Sequence, residues 1–258
     1  MFKNAGTTLD WSLQRCFGRQ FVDHRDDEAM RASKDYLSAY LSGEPTIKAL
    51  SSHWPPMPPV QVSGLDIHLL LLLRNPLERA RSVYNFERAQ AEDGSAGIQK
   101  ARKQSFAEYI RWRLGPTAGP VVKNFHTRYC SGDYFGTDME RLYELALGNL
   151  HKKAIVGLVH RYGESMVLFE YKLQSTYPAI DLSWRVQNVS QAQSAPLQQR
   201  INTIASELGD TFEILVEENQ YDLRLLEYLE KRMDDELARV PDLQDRLASL
   251  QKRNNLLK

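Results

Sequence analysis

The chain has 258 residues, of which 42% are apolar and 26% charged, the composition of an ordinary globular protein with one large domain or two small ones. Its 33 Lys and Arg balance its 33 Asp and Glu, and this zero net charge argues against a general nucleic-acid binder or a polybasic membrane binder. Two cysteines give no disulfide framework and no zinc motif, so a reducing compartment is the simplest interpretation. We expect neither a membrane span nor a signal peptide.

The first residues, MFKNAGTTLD, predict a tight turn followed by a helix. Apolar residues recur on one face of that helix, at Leu9, Leu13, Cys16 and Phe17. Unpaired backbone N–H groups at a helix start bind phosphate, Gly6 would let the backbone approach closely, and Lys3 would add a charge. A Walker loop has its lysine after the glycine, so this order does not imply a magnesium-bound nucleoside triphosphate. A disordered N-terminus with a common tetrapeptide is the alternative.

Residues 26–42 are polar and are predicted to be helical. The stretch SSHWPPMPPV (51–60) follows a short interval later. Proline continues neither a helix nor a central strand, so this stretch predicts an irregular loop. The loop carries His53.

The stretch IHLLLLL (67–73) predicts a buried strand that is apolar on both faces. Arg74 follows at its carboxyl end, where open α/β sheets bind ligands. Asn75, Pro76 and Glu78 have the types and spacing of the N-cap, N1 and N3 positions of a helix. The sequence therefore predicts a strand, a polar turn and a well-capped helix in succession.

This helix is expected to bury one face and to leave other residues outside it. The buried set is Ala80, Val83 and Tyr84, and the outer set is Arg79, Ser82 and Asn85. Arg74 from the strand end and Ser82 from the helix would be able to hold one phosphate between them. A capped helix with a solvated arginine face explains the same residues, and both interpretations stay open on this stretch alone.

Strands alternate with helices in the rest of the chain, so the predicted fold class is α/β with a mainly parallel sheet flanked by helices. The predicted elements are a loop at 91–97, helices near 105–114 and 138–148, a strand at 153–159, a helix near 163–174, a loop at 183–196, and helices near 197–208 and 219–240. Residues 241–258 predict an amphipathic helical tail with Leu243, Leu247, Leu250, Asn254 and Leu257 on one side. A short coiled coil, which would allow self-association, is the alternative.

Two motifs taken together carry a family resemblance. A Lys-x-x-Gly-Thr-Thr turn followed by strand-Arg-Asn-Pro-x-x-Arg-x-x-Ser-x-Tyr resembles the sulfotransferases that use 3′-phosphoadenosine-5′-phosphosulfate (PAPS). The similarity is greatest to the branch that includes heparan sulfate 2-O-sulfotransferase and its bacterial relatives. Three further stretches fit that branch, in the same order along the chain: NFHTRYCSG (124–132), VGLVHRYGESMVLF (156–169) and ENQYDLRLLEYL (218–229). The resemblance implies a P-loop-like sulfotransferase domain over 1–240 and transfer of a sulfuryl group from PAPS, with 3′-phosphoadenosine-5′-phosphate (PAP) as product and no metal.

The resemblance also implies roles for individual residues. Lys3 would touch the bridging oxygen and the 5′-phosphate, Arg74 and Ser82 would hold the 3′-phosphate, and His53 matches the catalytic base. The residues expected to wrap the 5′-phosphate are Asn4, Ala5, Gly6, Thr7 and Thr8. His126 and Arg128 would face the acceptor or the cofactor, unless residues 124–129 form a structural corner.

The chain departs from the family pattern at three points. Asn75 replaces the usual Asp, Ser52 replaces the usual Gly before His53, and only Met1 and Phe2 stand where a strand is expected before Lys3. We therefore expect the domain to lack its first strand. The departures leave a catalytically inactive nucleotide-binding or scaffold protein as the alternative, and a P-loop phosphotransferase as a third.

The resemblance further implies a carbohydrate hydroxyl as the acceptor, on a glycan or a glycan precursor. Without a membrane anchor, the chain looks like a bacterial cytoplasmic enzyme. No nucleic-acid partner is expected.

Overall fold

A computed structural model of the protein describes residues 3–33, 35–91, 94–185 and 195–257. Met1 and Phe2, and residues 186–194 of the predicted loop at 183–196, lie outside these ranges. The strands are β1 (Phe21–Asp23), β2 (Ala49–Ser51), β3 (Leu69–Leu73) and β4 (Ala154–Leu158). The helices are α1 (Gly6–Phe17), α2 (Asp27–Ala32), α3 (Tyr36–Gly43), α4 (Pro76–Ala89), α5 (Ala96–Lys103), α6 (Phe106–Leu114), α7 (Phe125–Ser131), α8 (Met139–Lys153), α9 (Tyr162–Leu173), α10 (Leu197–Leu208), α11 (Thr211–Glu217), α12 (Gln220–Leu237) and α13 (Leu243–Leu256).

The strands form two parallel pairs. β1 pairs with β2, with Phe21 opposite Ala49, and β3 pairs with β4, with Leu69 opposite Ala154. Within the described ranges neither pair joins the other through backbone hydrogen bonds. The α/β class with parallel strands flanked by helices is therefore confirmed, in the form of two small sheets.

The pair β3 and β4 carries the main apolar core. Leu73 and Leu158 at its carboxyl end are almost completely buried. Gly157 allows α9 to pack close to β4, because a Cβ atom at this position would lie 2.6 Å from the Cβ of Ser165. The Ser165 hydroxyl accepts a hydrogen bond from the Leu158 N–H at 2.8 Å, which fixes the start of α9 against the strand end.

Helix α4 begins as the sequence predicts. The Asn75 side chain accepts a hydrogen bond from the Leu77 N–H at 3.0 Å, and Pro76 occupies the first turn. Ala80, Val83 and Tyr84 are buried, as predicted. The prediction that Arg79 lies outside the buried face is wrong. Its guanidinium group is buried, and the Cζ atom lies 3.4 Å from the centre of the Phe125 ring.

Other differences from the predicted elements have local causes. The helix expected over 26–42 is divided into α2 and α3, because the chain at Ser33 is extended and ends α2. The three-residue strands β1 and β2 and the short helices α5, α7 and α11 were not predicted, since they are too short to show a periodic apolar pattern. Helix α5 begins at Ala96, within the loop predicted at 91–97. The buried strand at 67–73 is confirmed over Leu69–Leu73, although its first two residues are only half-buried.

The C-terminal helix α13 packs against α9. Leu250 is buried in the main core, where only 2% of its surface is exposed, and Leu243 and Leu247 lie beside it. Arg253 forms an ion pair with Glu170 of α9 at 2.9 Å. The apolar side of the tail is therefore used within the chain, and self-association through this helix stays a prediction. No helix in the described ranges combines the length and apolar character needed to cross a membrane.

The packing of α13 predicts a large difference between two leucines of the same helix. Leu250→Ala should lower the free energy of unfolding by about 2–5 kcal/mol, because it leaves a cavity in the core. Leu256→Ala is the control, since this side chain is 78% exposed, and its effect should stay within about 0.5 kcal/mol. Urea denaturation of both variants measures the difference, and equal small losses would show that the tail does not contribute to the core.

Candidate anion-binding site

The turn before α1 has an unusual backbone conformation. Lys3 and Ala5 have φ angles of 60° and 59°, in the left-handed region that residues other than glycine rarely adopt. A left-handed residue followed by a helical one directs successive N–H groups to the same side and creates an anion-binding concavity. Residues held in such conformations cluster at ligand sites, so the turn is a candidate binding element.

Helix α1 leaves its first backbone N–H groups available. Ala5 occupies the N-cap position, and its side chain makes no capping hydrogen bond. The N–H groups of Gly6, Thr7 and Thr8 belong to the first turn, which has no intrahelical acceptor. Together with the positive end of the helix dipole, they favour an anion at this position.

Lys3 of the turn is within electrostatic range of two other cations, Arg74 and Arg79. Burial, followed by the charges of Arg74 and Arg79, lowers the pKa of Lys3. Burial also lowers the pKa of Arg74, and it lowers that of Arg79 to about 10, which still leaves a cation at neutral pH. These like charges oppose one another in a partly desolvated region, and a bound anion would relieve that repulsion.

Asn4 fixes the turn to two other parts of the fold. Its Oδ1 atom accepts a hydrogen bond from the Arg74 backbone N–H at 2.9 Å and lies 3.0 Å from Nε2 of His126. The first contact holds the turn at the carboxyl end of β3, and the second holds it against α7. The Asn4 side chain therefore connects the turn to both β3 and α7.

His126 is buried between Asn4 and a carboxylate. Its Nδ1 atom lies 3.2 Å from Oδ2 of Asp222, and both side chains are at most 2% exposed. Burial lowers the pKa of His126, against the attraction of Asp222. In this structure His126 contacts the turn rather than the protein surface, and its expected part in acceptor or cofactor binding stays a prediction.

Asp222 and two asparagines connect α7 with α12. Asp222 accepts hydrogen bonds from the backbone N–H groups of His126 and Thr127 at 2.9 and 2.8 Å, which caps α7. Asn124 accepts in return from the N–H groups of Tyr221 and Asp222 at 3.0 and 3.1 Å, which caps α12. Asn219 accepts from the Asn124 N–H at 3.1 Å. The two helix starts therefore cap each other.

Sequence analysis did not identify Asp222, Asn124 or Asn219. The stretch 124–132 begins with Asn124, and Asn219 is the second residue of the stretch 218–229; asparagine is a common residue at a helix start. Nothing in either stretch indicates that one caps the other.

His53 lies just after β2 and is oriented by an acid. Its Nδ1 atom is 3.2 Å from Oδ2 of Asp27, and the side chain is about one-third exposed. If Nδ1 carries the proton that Asp27 accepts, Nε2 is the nitrogen that accepts a further proton. Burial and the charge of Arg25 lower the pKa of His53, against the effect of Asp27. The neutral ring is therefore the form present at neutral pH.

The structure brings part of the predicted site together. Lys3, Asn4 and Arg74 meet at the turn, whereas His53 lies with Asp27 at the end of the other strand pair. Ser82 is half-buried on α4, and Arg128 donates a hydrogen bond to the carbonyl of Gly136 at 2.6 Å. Arg79, which carries the third cation, was missed because its position on the helix predicted solvent exposure.

Comparison with known proteins finds one relative of almost the same extent. The chain is 29% identical over 233 residues to an uncharacterized protein of Archaeoglobus fulgidus, covering 88% of this chain and 92% of that protein. No protein-family model and no solved structure matches the chain. The description of the relative names no activity, so the functional proposal depends on the geometry and on the sequence motifs.

The capping role of Asp222 predicts a pH-dependent contribution to stability. Burial opposes its charge, but His126 and the two backbone N–H groups hold its pKa below the ordinary 3.8. Asp222→Asn should lower the free energy of unfolding by about 1–3 kcal/mol at pH 7, because one amide oxygen replaces two carboxylate oxygens. This difference should be complete above the unfolded-state pKa and should disappear as the pH falls through the folded-state pKa of Asp222.

Urea denaturation of the wild-type and variant proteins from pH 7 to pH 3 measures this effect. Asp138→Asn is the matched control, because Asp138 caps α8 at an exposed position through one hydrogen bond of 3.1 Å. A loss at Asp222 no larger than that at Asp138, and constant with pH, would contradict the role assigned to the carboxylate.

Proposed function

We propose that this protein transfers a sulfuryl group from PAPS to a hydroxyl group of a carbohydrate. The observation that carries the proposal is the gathering of Lys3, Arg74 and Arg79 around the left-handed turn at the start of α1. Three cations and a row of helix N–H groups suit a ligand with several negative charges. The order of the residues along the chain, which resembles PAPS-dependent sulfotransferases, selects PAPS among such ligands.

The 5′-phosphosulfate and the 3′-phosphate of PAPS each have matching groups in the proposed complex. The backbone of residues 4–8 would surround the 5′-phosphate, and Lys3 would contact the oxygen that bridges phosphorus and sulfur. Arg74 and Ser82 would bind the 3′-phosphate from the end of β3 and from α4. Arg79 would add charge from beneath the site, because its guanidinium is buried against Phe125.

The transfer step is an in-line displacement at sulfur. The acceptor oxygen forms a bond to sulfur while the bond from sulfur to the bridging phosphate oxygen breaks, and PAP leaves with an additional negative charge. Lys3 and the helix N–H groups stabilise that charge as it develops. Nε2 of neutral His53 removes the acceptor proton, a contribution of typically about 10²–10⁴-fold.

The alternative functions differ in the ligand and in turnover. An inactive nucleotide-binding or scaffold protein would bind PAP without transferring a sulfuryl group, and a P-loop phosphotransferase would prefer ATP with magnesium. Calorimetric titration with PAP and with ATP distinguishes the P-loop phosphotransferase from the sulfotransferase. An assay with labelled PAPS and a panel of glycans distinguishes the inactive nucleotide-binding protein from the sulfotransferase. Tight binding of ATP with no binding of PAP would overturn the proposal.

Arg74 should distinguish nucleotides by the 3′-phosphate. Arg74→Ala should weaken PAP binding by about one to two decades, because a charge-assisted contact contributes roughly 1.5–3 kcal/mol. Binding of adenosine-5′-phosphosulfate, which lacks the 3′-phosphate, should change little. Arg19→Ala is the control for loss of one positive charge at an exposed position. Calorimetry with both ligands makes the measurement, and equal weakening of the two would remove Arg74 from 3′-phosphate recognition.

His53 and Lys3 should affect the reaction differently. His53→Ala should leave PAP affinity near the wild-type value and lower turnover by roughly two to four decades, whereas Lys3→Ala should lower both affinity and turnover.

Since burial and Arg25 lower the pKa of His53 from 6.5, wild-type turnover should rise with pH, with a midpoint below pH 6.5. Turnover of labelled PAPS from pH 5 to pH 8, with a melting curve for each variant, tests these expectations. Near-normal turnover in folded His53→Ala would exclude His53 as the base.

A further inference from the structure

Phe135 is the most exposed aromatic side chain in the described ranges, with 79% of its surface accessible to solvent. It lies in the loop between α7 and α8. Single exposed apolar residues are common on protein surfaces, but this ring is part of a cluster. The Tyr134 ring lies 5.0 Å from it and 5.1 Å from the ring of Trp54, which is half-buried. We name these three residues, Trp54, Tyr134 and Phe135, the aromatic platform.

Close contacts hold the platform against the loop that carries His53. Gly132 has a φ angle of 79°, and a Cβ atom at this position would collide with the carbonyl oxygen of Met57. Only glycine therefore allows the two loops to approach so closely. The Tyr129 hydroxyl of α7 donates a hydrogen bond to the Pro55 carbonyl at 2.6 Å. The loop of the platform and the loop of the proposed base are thus packed directly against each other.

Helix α2 contacts both the proposed base and the platform. Asp27 lies 3.2 Å from Nδ1 of His53. One turn later, the guanidinium group of Arg31 lies over the Trp54 ring, 5.4 Å from its centre. The Arg31 side chain also donates a hydrogen bond to the Asp27 carbonyl at 3.0 Å. Trp54 therefore adjoins the proposed base along the chain and is connected to it again through α2.

The backbone on both sides of Phe135 is fixed by hydrogen bonds. Arg128 donates to the Gly136 carbonyl at 2.6 Å. The Ser131 hydroxyl accepts from the Asp133 N–H at 3.0 Å, and the Gly136 N–H donates to the Asp133 carbonyl at 3.3 Å. A loop that is ordered before binding loses little conformational entropy when a ligand arrives. The exposed ring is therefore presented on a preorganised loop, and in this structure Arg128 positions that loop.

A flat apolar ring selects a ligand surface that carries C–H groups and no hydroxyl group, because a hydroxyl covered without a hydrogen bond is costly. A β-linked glucopyranose unit has this form, since its hydroxyl groups are equatorial and its two faces carry only C–H groups. The hydroxyl groups at its edge stay available for hydrogen bonds or for reaction. A nucleobase also stacks on aromatic rings, but the packing of the platform against the loop of His53 favours the acceptor.

We propose that Phe135 is a stacking site for a glucopyranose ring of the acceptor carbohydrate. The assignment to the acceptor rests on the sulfuryl transfer proposed above, whereas the binding of a sugar ring to Phe135 is tested without it. Phe135 also determines specificity in this arrangement. A pyranose with an axial hydroxyl group on the stacked face binds more weakly, because the ring covers that hydroxyl.

Saturation-transfer NMR with cellohexaose, a β-linked glucose hexamer, tests the site without requiring turnover. The wild-type protein should transfer saturation more strongly to the ring C–H protons than to the C6 methylene protons. Phe135→Ala should weaken cellohexaose binding by roughly tenfold, because it removes the stacked ring, and Phe135→Tyr should keep near-normal binding. Leu256→Ala is the matched control, since Leu256 is 78% exposed on α13, and it should have no effect.

Calorimetry with PAP on the same variants separates this site from the proposed function. PAP affinity should be the same in Phe135→Ala and in the wild-type protein, and its loss would assign the ring to the nucleotide and overturn the proposal. Absence of saturation transfer in the wild-type protein, or equal cellohexaose binding by wild type and Phe135→Ala, would also overturn it. Cellohexaose binding that requires Phe135, in a protein that does not bind PAP, would support the sugar site and overturn the sulfuryl transfer.

Discussion

One side-chain oxygen holds the candidate site together. Oδ1 of Asn4 accepts from the Arg74 backbone and lies within hydrogen-bond distance of His126, so one atom positions the turn against a strand end and a helix. Asp222 continues the connection to α12 through His126. Because these groups are buried, loss of any one leaves a polar partner unsatisfied, which is more costly than loss of an exposed hydrogen bond. The left-handed turn is thus maintained by the surrounding contacts rather than by the preferences of its own residues.

The positive charge of the site results from the fold, because the whole chain has no net charge. Lys and Arg equal Asp and Glu in number over the whole chain, yet the fold brings Lys3 within electrostatic range of Arg74 and Arg79. Glu78, the acid nearest to this group in sequence, forms an ion pair with Arg200, and its charge also raises the pKa of Arg74 against the effect of burial. The fold therefore produces a cationic region in a protein of zero net charge, and this region is a candidate site for an anion.

The sequence predicted those features that depend on neighbouring residues. The strand at Leu69–Leu73, the Asn75 cap and most long helices follow from local periodicity and capping chemistry. The burial of Arg79 and the position of His126 could not be predicted, because their partners come from distant parts of the chain. Division of the strands into two pairs also could not be read from apolar runs, which do not specify which edges meet. The motif residues Lys3, Asn4 and Arg74 meet in the structure, whereas the roles of His53, Ser82 and Arg128 in binding or catalysis remain predictions.

The mutual capping of α7 and α12 has a consequence for the order in which the protein can fold during synthesis. His126 follows Asn4 by 122 residues, and Asp222 follows His126 by another 96. At roughly 5–20 residues per second, the ribosome needs on the order of 10–40 s to add this length of chain. During that interval the groups that hold the turn are added one after another, with Arg74 first, His126 next and Asp222 near the end. The turn at the start of α1 is thus among the first parts to be translated, and the contacts that hold it are completed only when Asp222 has been added.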